Sequence, residues 1–144
     1  MTYILSTQKD AAGNLGRFTD PSLGWWLASA AKCGAGIASW LVPGVMALKG
    51  TRLIAKISKL TKSSKKIADA VKKLGGVKKS AKELLKKTAN DLRSKLPASA
   101  RGKLKAFSQS TEAKVAAGAL AAQLKDEIWD LLSLGSCAAM WKNR

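Results

Sequence analysis

SLGWWLASAAKCGAGIASWLVPGVMALKG (residues 22–50) is the stretch whose reading decides the fold. Lys32 is the one charge between Leu23 and Leu48, and a helix that is apolar all round must be buried, either in protein or in lipid. Upstream, TDPS supplies a start signal. Asp20 suits an N-cap, where its carboxylate accepts from free amides, and Pro21 suits the first helical position because it has no N–H to leave unpaired. Downstream, VPG at 42–44 kinks or stops the helix, since Pro43 cannot donate to the ladder and disfavours helix at Val42. The expectation is a helix from Pro21 to about Leu41. Its apolarity alone does not separate a core helix from a membrane span.

The rest of the composition narrows the choice. A chain of 144 residues with 47% apolar content supports one ordinary domain and its core. It has no His, so the usual general base near neutral pH and the commonest metal ligand are both missing. Of its two cysteines, Cys33 and Cys137 fall one in each of the two most apolar regions. They are too few for a zinc knuckle; packing as small hydrophobes is the first expectation, and a disulfide the alternative. The first apolar run begins near residue 23 rather than directly after a short basic start, so no cleavable secretion signal is expected in the usual place.

Charge divides the chain. The formal net charge is +17, and Lys49 to Lys105 alone holds 19 Lys or Arg against the acids Asp69, Glu83 and Asp91, a net of +16. A nearly neutral apolar front and an amphipathic tail flank this block. The middle is helical by period. At about 100° per residue, Lys49, Arg52, Lys56 and Lys59 share one arc, with Leu53, Ile57 and Leu60 in another. Lys65, Lys66, Lys72 and Lys73 separate from Ile67, Val71 and Leu74 in the same way. LGGV at 74–77 breaks the run, and SAKE offers a capping box between Ser80 and Glu83. A helix over about 81–95 gathers Ala81, Leu84, Leu85, Thr88 and Leu92, and LPASARG at 96–102 ends it. Ser110 caps a last helix with a Leu120, Leu124, Ile128 and Leu131 stripe opposite Asp126 and Asp130, which LGSC at 134–137 terminates. No alternating strand pattern follows YIL near the start. The fold expected is all-α, with about five or six helices: an arm at 1–20, an apolar segment at 21–48, basic amphipathic helices at 49–105, and a C-terminal amphipathic helix with an apolar end at 110–144.

Catalytic signals are weak. GVMALKGT (44–51) looks like a phosphate loop, but Lys49 and Gly50 stand in reversed order and no strand precedes them. Asp126, Glu127 and Asp130 lie on a solvated helix face. No nucleophile is placed beside a base, so the expectation is a chain that is not an enzyme, with neither cofactor nor metal. Nucleic-acid binding is a rival, because neutralising phosphates releases counterions without any sequence code. Against it, five of 26 basic residues are Arg, and no aromatic lies between Trp40 and Phe107 to stack on bases.

Membrane action accounts for more of the pattern. Residues 23–42 give 20 positions, which at about 1.5 Å rise approach the roughly 30 Å of a hydrocarbon core. Trp25, Trp26 and Trp40 suit interfacial belts, and Gly34 and Gly36 with Ala28 and Ala38 favour close helix approach in lipid. Lys32 at mid-span costs roughly 2.5–3.5 kcal/mol, unless it faces a water-filled lumen. The insertion set is therefore Trp25, Trp26, Lys32, Gly34, Gly36, Trp40, Pro43 and Gly44. The Lys faces would meet anionic membrane lipids, at about 1 kcal/mol for each nearby side chain.

Residues 40–74, WLVPGVMALKGTRLIAKISKLTKSSKKIADAVKKL, resemble the helical region in the C-terminal parts of bacterial polymorphic toxins of the Rhs and contact-dependent inhibition type. There a hydrophobic stretch, PGV and Lys-rich helices occur together. GRFTDPSLG (16–24) is similar to the GRF…DP.G wording of Rhs repeats, with Ser22 and Leu23 inserted before the Gly. The resemblance implies either a pre-toxin linker or a membrane-depolarising toxin. Since no nuclease or transferase constellation follows, it favours the second: a secreted or delivered effector that permeabilises a target membrane, with a carrier or encapsulating protein, a cognate immunity protein, and oligomers in the membrane. The alternatives are a basic helical nucleic-acid-binding protein and a helical toxin enzyme of another type.

Overall fold

The computed structural model describes residues 22–125 and 127–142. Among them are eight α-helices, one 3-10 turn and no β-strand, so the fold is all-α, built from more and shorter helices than expected. The arm at 1–20, the Asp20 cap, Pro21 and Asp126 lie outside the described residues.

The first helix, α1 (Leu23–Trp40), is capped by Ser22, whose hydroxyl accepts from the Trp25 amide at 3.3 Å. It ends where the Leu41 amide closes onto the Ile37 and Ala38 carbonyls, just before Pro43. Ser29, Ala30, Cys33 and Ile37 are buried, whereas Leu23, Ala28, Ala31, Lys32, Ala35 and Ala38 are exposed. The expectation of a helix buried on all sides is corrected here: α1 has one core face and one outer face of small residues. No helix among the described residues is long and apolar enough to cross a membrane. Ala, Ser and Gly dilute the hydropathy of α1, and Lys32 removes more.

The basic block folds as its period requires. It comprises α2 (Val45–Lys49), α3 (Thr51–Ser63), α4 (Lys65–Leu74) and α5 (Val77–Lys95). Leu53, Ile57, Ile67, Val71 and Leu74 are buried, each fully buried Leu or Ile worth about 1.5–3 kcal/mol, while the Lys faces stay in solvent. Ser64 caps α4 by accepting from the Ile67 amide. At LGGV the Gly75 amide bonds the Lys72 carbonyl and the Gly76 amide the Val71 carbonyl, a closure that needs the left-handed φ of 96° at Gly75. The Ser80–Glu83 capping box does not form, because α5 starts one turn earlier. Ser80 is buried inside the helix, and its hydroxyl donates to the Gly76 carbonyl at 2.6 Å. The expected stripe of Ala81, Leu84, Leu85, Thr88 and Leu92 is buried.

After the 3-10 turn (Arg101–Lys103), an extended segment runs back along α5. Asn90 holds it with two bonds of 2.8 Å, donating to the Phe107 carbonyl and accepting from the Phe107 amide. Ser110 caps α6 (Thr111–Leu124) as expected, accepting from the Ala113 amide at 3.1 Å. The single long helix expected there is interrupted at Lys125, whose φ is 54°, and resumes as α7 (Glu127–Leu131). Gly135, expected to end a helix, instead begins α8 (Gly135–Lys142).

One core runs through all of this. Helices α4 and α5 pack on α6, α3 packs on α4 and α5, and α1 packs on α8 and the 3-10 turn. Cys33 of α1 and Cys137 of α8 form a disulfide, with Cα atoms 4.9 Å apart and both residues buried. Inert packing, the first expectation for them, is thereby corrected. Each is indeed core, but the core brings the two together.

Candidate functional site

Most of the insertion set works inside the fold. Trp25 and Trp26 meet edge to face at 5.0 Å and, like Trp40, are half-buried against the core rather than displayed as a belt. At Gly34 an added Cβ would lie 2.6 Å from the Lys103 carbonyl oxygen, and at Gly36 2.6 Å from Leu134 Cδ2. The close approach these glycines allow is therefore to the chain's own 3-10 turn and to the segment before α8. Lys32 is exposed on the outer face of α1, with no lumen around it. Pro43 and Gly44 are exposed in the link between α1 and α2.

That link is a tight elbow. Gly44 takes the left-handed region at φ 84°, and the Val45 amide closes onto the Val42 carbonyl at 3.1 Å. Met46 is buried and anchors α2, with the Gly50 amide donating to its carbonyl at 2.9 Å. A Cβ on Gly50 would meet Met46 Sδ at 2.5 Å, so the turn into α3 depends on the missing side chain. What the elbow leaves outside is apolar: Val42 at 50% exposure, Pro43, Ala47, and Leu48 at 80%.

Cations begin where the elbow ends. Lys49, Arg52 and Lys59 are exposed. Along α3, Arg52, Lys56, Lys59 and Lys62 line an open groove of about 680 Å³ whose remaining walls are Ala55, Ser58 and Leu131 of α7. Lys56 is paired with Glu127 at 3.6 Å. Arg52, Lys59 and Lys62 have no carboxylate partner among the described residues, and neither do Lys49, Lys65, Lys66, Lys72 and Lys73. Lys66 and Lys73 line a second groove of about 420 Å³ between α4 and α6, with Asp69 and Glu112 among its other walls. Lys49, Lys65 and Lys72 are exposed outside both grooves.

The groove thus gathers Arg52, Lys56 and Lys59 of the expected arc and leaves out Lys49, which ends α2. It adds Lys62, one turn further along that arc, and Leu131 of α7. The spacing of Lys62 from Lys59 was available in the sequence; the exposure of Val42 and Leu48 was not, because they belong to a run that reads as buried throughout. Among the described residues no group of three or more Cys, Asp and Glu is placed to hold a metal ion. Such a surface attracts polyanions by charge and offers apolar contact beside it. Comparison with protein-family models, with curated proteins and with solved structures finds no match to the chain.

Proposed function

We propose that the chain is a delivered bacterial effector that docks on an anionic target membrane and permeabilises it without catalysis. The observation that carries this is the juxtaposition, in one chain segment, of exposed apolar residues (Val42, Leu48) with cations that have no carboxylate partner (Lys49, Arg52, Lys59, Lys62). A nucleic-acid binder has use for the cations and none for the apolar tip beside them. Each engaged Lys contributes about 1 kcal/mol at an anionic leaflet, and apolar contact adds to it at the headgroup boundary.

Permeabilisation on this account is interfacial. With no helix among the described residues fit to span, the α1–α8 pair enters edge-on after docking, carrying Trp25, Trp26, Trp40 and Trp141 to the headgroup level where amphipathic rings are favoured. Several copies together disturb the bilayer. The toxin resemblance supplies the partners: a carrier or encapsulating protein for delivery and an immunity protein in the producing cell. A potential-sensitive dye in bacterial cells given the protein from the periplasmic side tests the proposal. Depolarisation within minutes supports it; cells that hold their potential at micromolar protein sink it.

A further inference from the structure

We infer that the elbow at residues 42–48 is the point at which the chain enters the interface of an anionic bilayer, with Val42 and Leu48 as the inserted side chains and Lys49 and Arg52 as their headgroup contacts. The inference rests on the membrane-directed function proposed above and names the contact for it. The elbow is suited to the task in three ways. Its outer residues expose large apolar side chains within seven positions of each other, whereas the other exposed large hydrophobics among the described residues, Leu23 and Val115, stand apart on α1 and α6. Pro43 brings no backbone N–H into the interface, so insertion at that position leaves no donor unpaired. The base is fixed: Met46 in the core and the close approach at Gly50 hold Leu48 outward, so little order has to be gained on binding.

Charge selects the occupant. Lys49 follows Leu48 directly and Arg52 lies one turn on, both exposed and with no carboxylate partner among the described residues. An apolar tip followed by exposed cations matches a phosphate-bearing headgroup layer above hydrocarbon. It does not match an acidic protein groove equally well, because residues 42–48 carry no acceptor or donor side chain of their own.

The test compares the parent with Val42→Ser/Leu48→Ser, using sedimentation with vesicles of phosphatidylglycerol and phosphatidylcholine at about 0.1 M salt. Both positions are exposed, so thermal unfolding is expected to match the parent. The double variant is expected to partition about tenfold more weakly or worse, Leu48→Ala to fall between, and Val115→Ser, at 70% exposure on α6, to match the parent. Retention on immobilised duplex DNA is expected to be equal for all four. Partitioning of the double variant equal to the parent overturns the elbow while leaving vesicle binding in place. An equal loss in Val115→Ser overturns it too, since apolar surface in general would then be responsible. A parent that ignores anionic vesicles yet retains DNA overturns both the elbow and the proposed function. If the double substitution instead converts a dimer to a monomer without changing partitioning, the tip is a self-association surface and the inference fails.

Discussion

Gly34 stands against backbone and Gly118 against no more than the end of a flexible Lys87 side chain, a difference that reverses the sign of the same substitution. Replacing a helical Gly by Ala ordinarily stabilises by about 0.5–1 kcal/mol, because Ala has less backbone entropy to lose. Gly118, in mid-α6 with no atom nearer than Lys87 Cε at 3.9 Å, is expected to follow that rule. At Gly34 the new methyl would lie 2.6 Å from the Lys103 carbonyl oxygen and 3.6 Å from Leu104 Cα, so the 3-10 turn must move. Gly34→Ala is expected to cost about 1–3 kcal/mol, read from urea midpoints. Equal shifts in the two variants would mean that α1 does not sit on the turn. Asn90 makes a similar prediction. Its amide satisfies both backbone groups of Phe107, and Asn90→Ala strips partners from two partly buried groups, expected to cost about 1–3 kcal/mol. Hydrogen exchange at residues 104–110 should rise with it. Small residues at 34 and 36 were legible in the sequence as sites of close approach. What approaches them was not, because composition marks the need for space without naming the neighbour.

Helix faces were legible because periodicity is local. The alternation of Leu53, Ile57, Ile67, Val71 and Leu74 with Lys follows directly from 3.6 residues per turn, and all five are buried. The LGGV break was legible too, since a left-handed C-terminal turn calls for Gly. Two features were not. Lys125 adopts positive φ without the Gly or Pro that announces a break, so α6 and α7 are two helices where period alone gives one, whereas the break at Ser133 falls beside the LGSC signal. The Cys33–Cys137 bond joins elements 104 residues apart, a separation no local pattern bridges. Its effect belongs to the α1–α8 pair. Cys33→Ser/Cys137→Ser is expected to lower stability by about 2–5 kcal/mol through the freed loop, measured by chemical unfolding. Since the proposed function carries α1 and α8 into the interface as a pair, and this bond joins them, the same variant is expected to release vesicle contents more slowly at equal binding. Equal or faster release would mean that the joined pair is not what enters the bilayer.

Over the whole molecule, charge and apolar surface have to be judged together. The net +17 would draw the chain to any polyanion, with affinity that falls steeply between about 50 and 200 mM salt. Attraction to an anionic bilayer also weakens with salt, but the apolar contribution of the elbow does not depend on screening. The fold class and the basic face could be read from the sequence. The helix stop at VPG was legible as well; the exposure of Val42 and Leu48 around it was not, because their apolar side chains read as part of the buried run at 22–50. The most direct test of membrane permeabilisation is release of a trapped dye from unilamellar vesicles by micromolar protein. Vesicles rich in phosphatidylglycerol should leak within minutes while phosphatidylcholine vesicles stay sealed. Anionic vesicles that bind the protein and remain sealed, or that fail to bind it at all, would contradict the account.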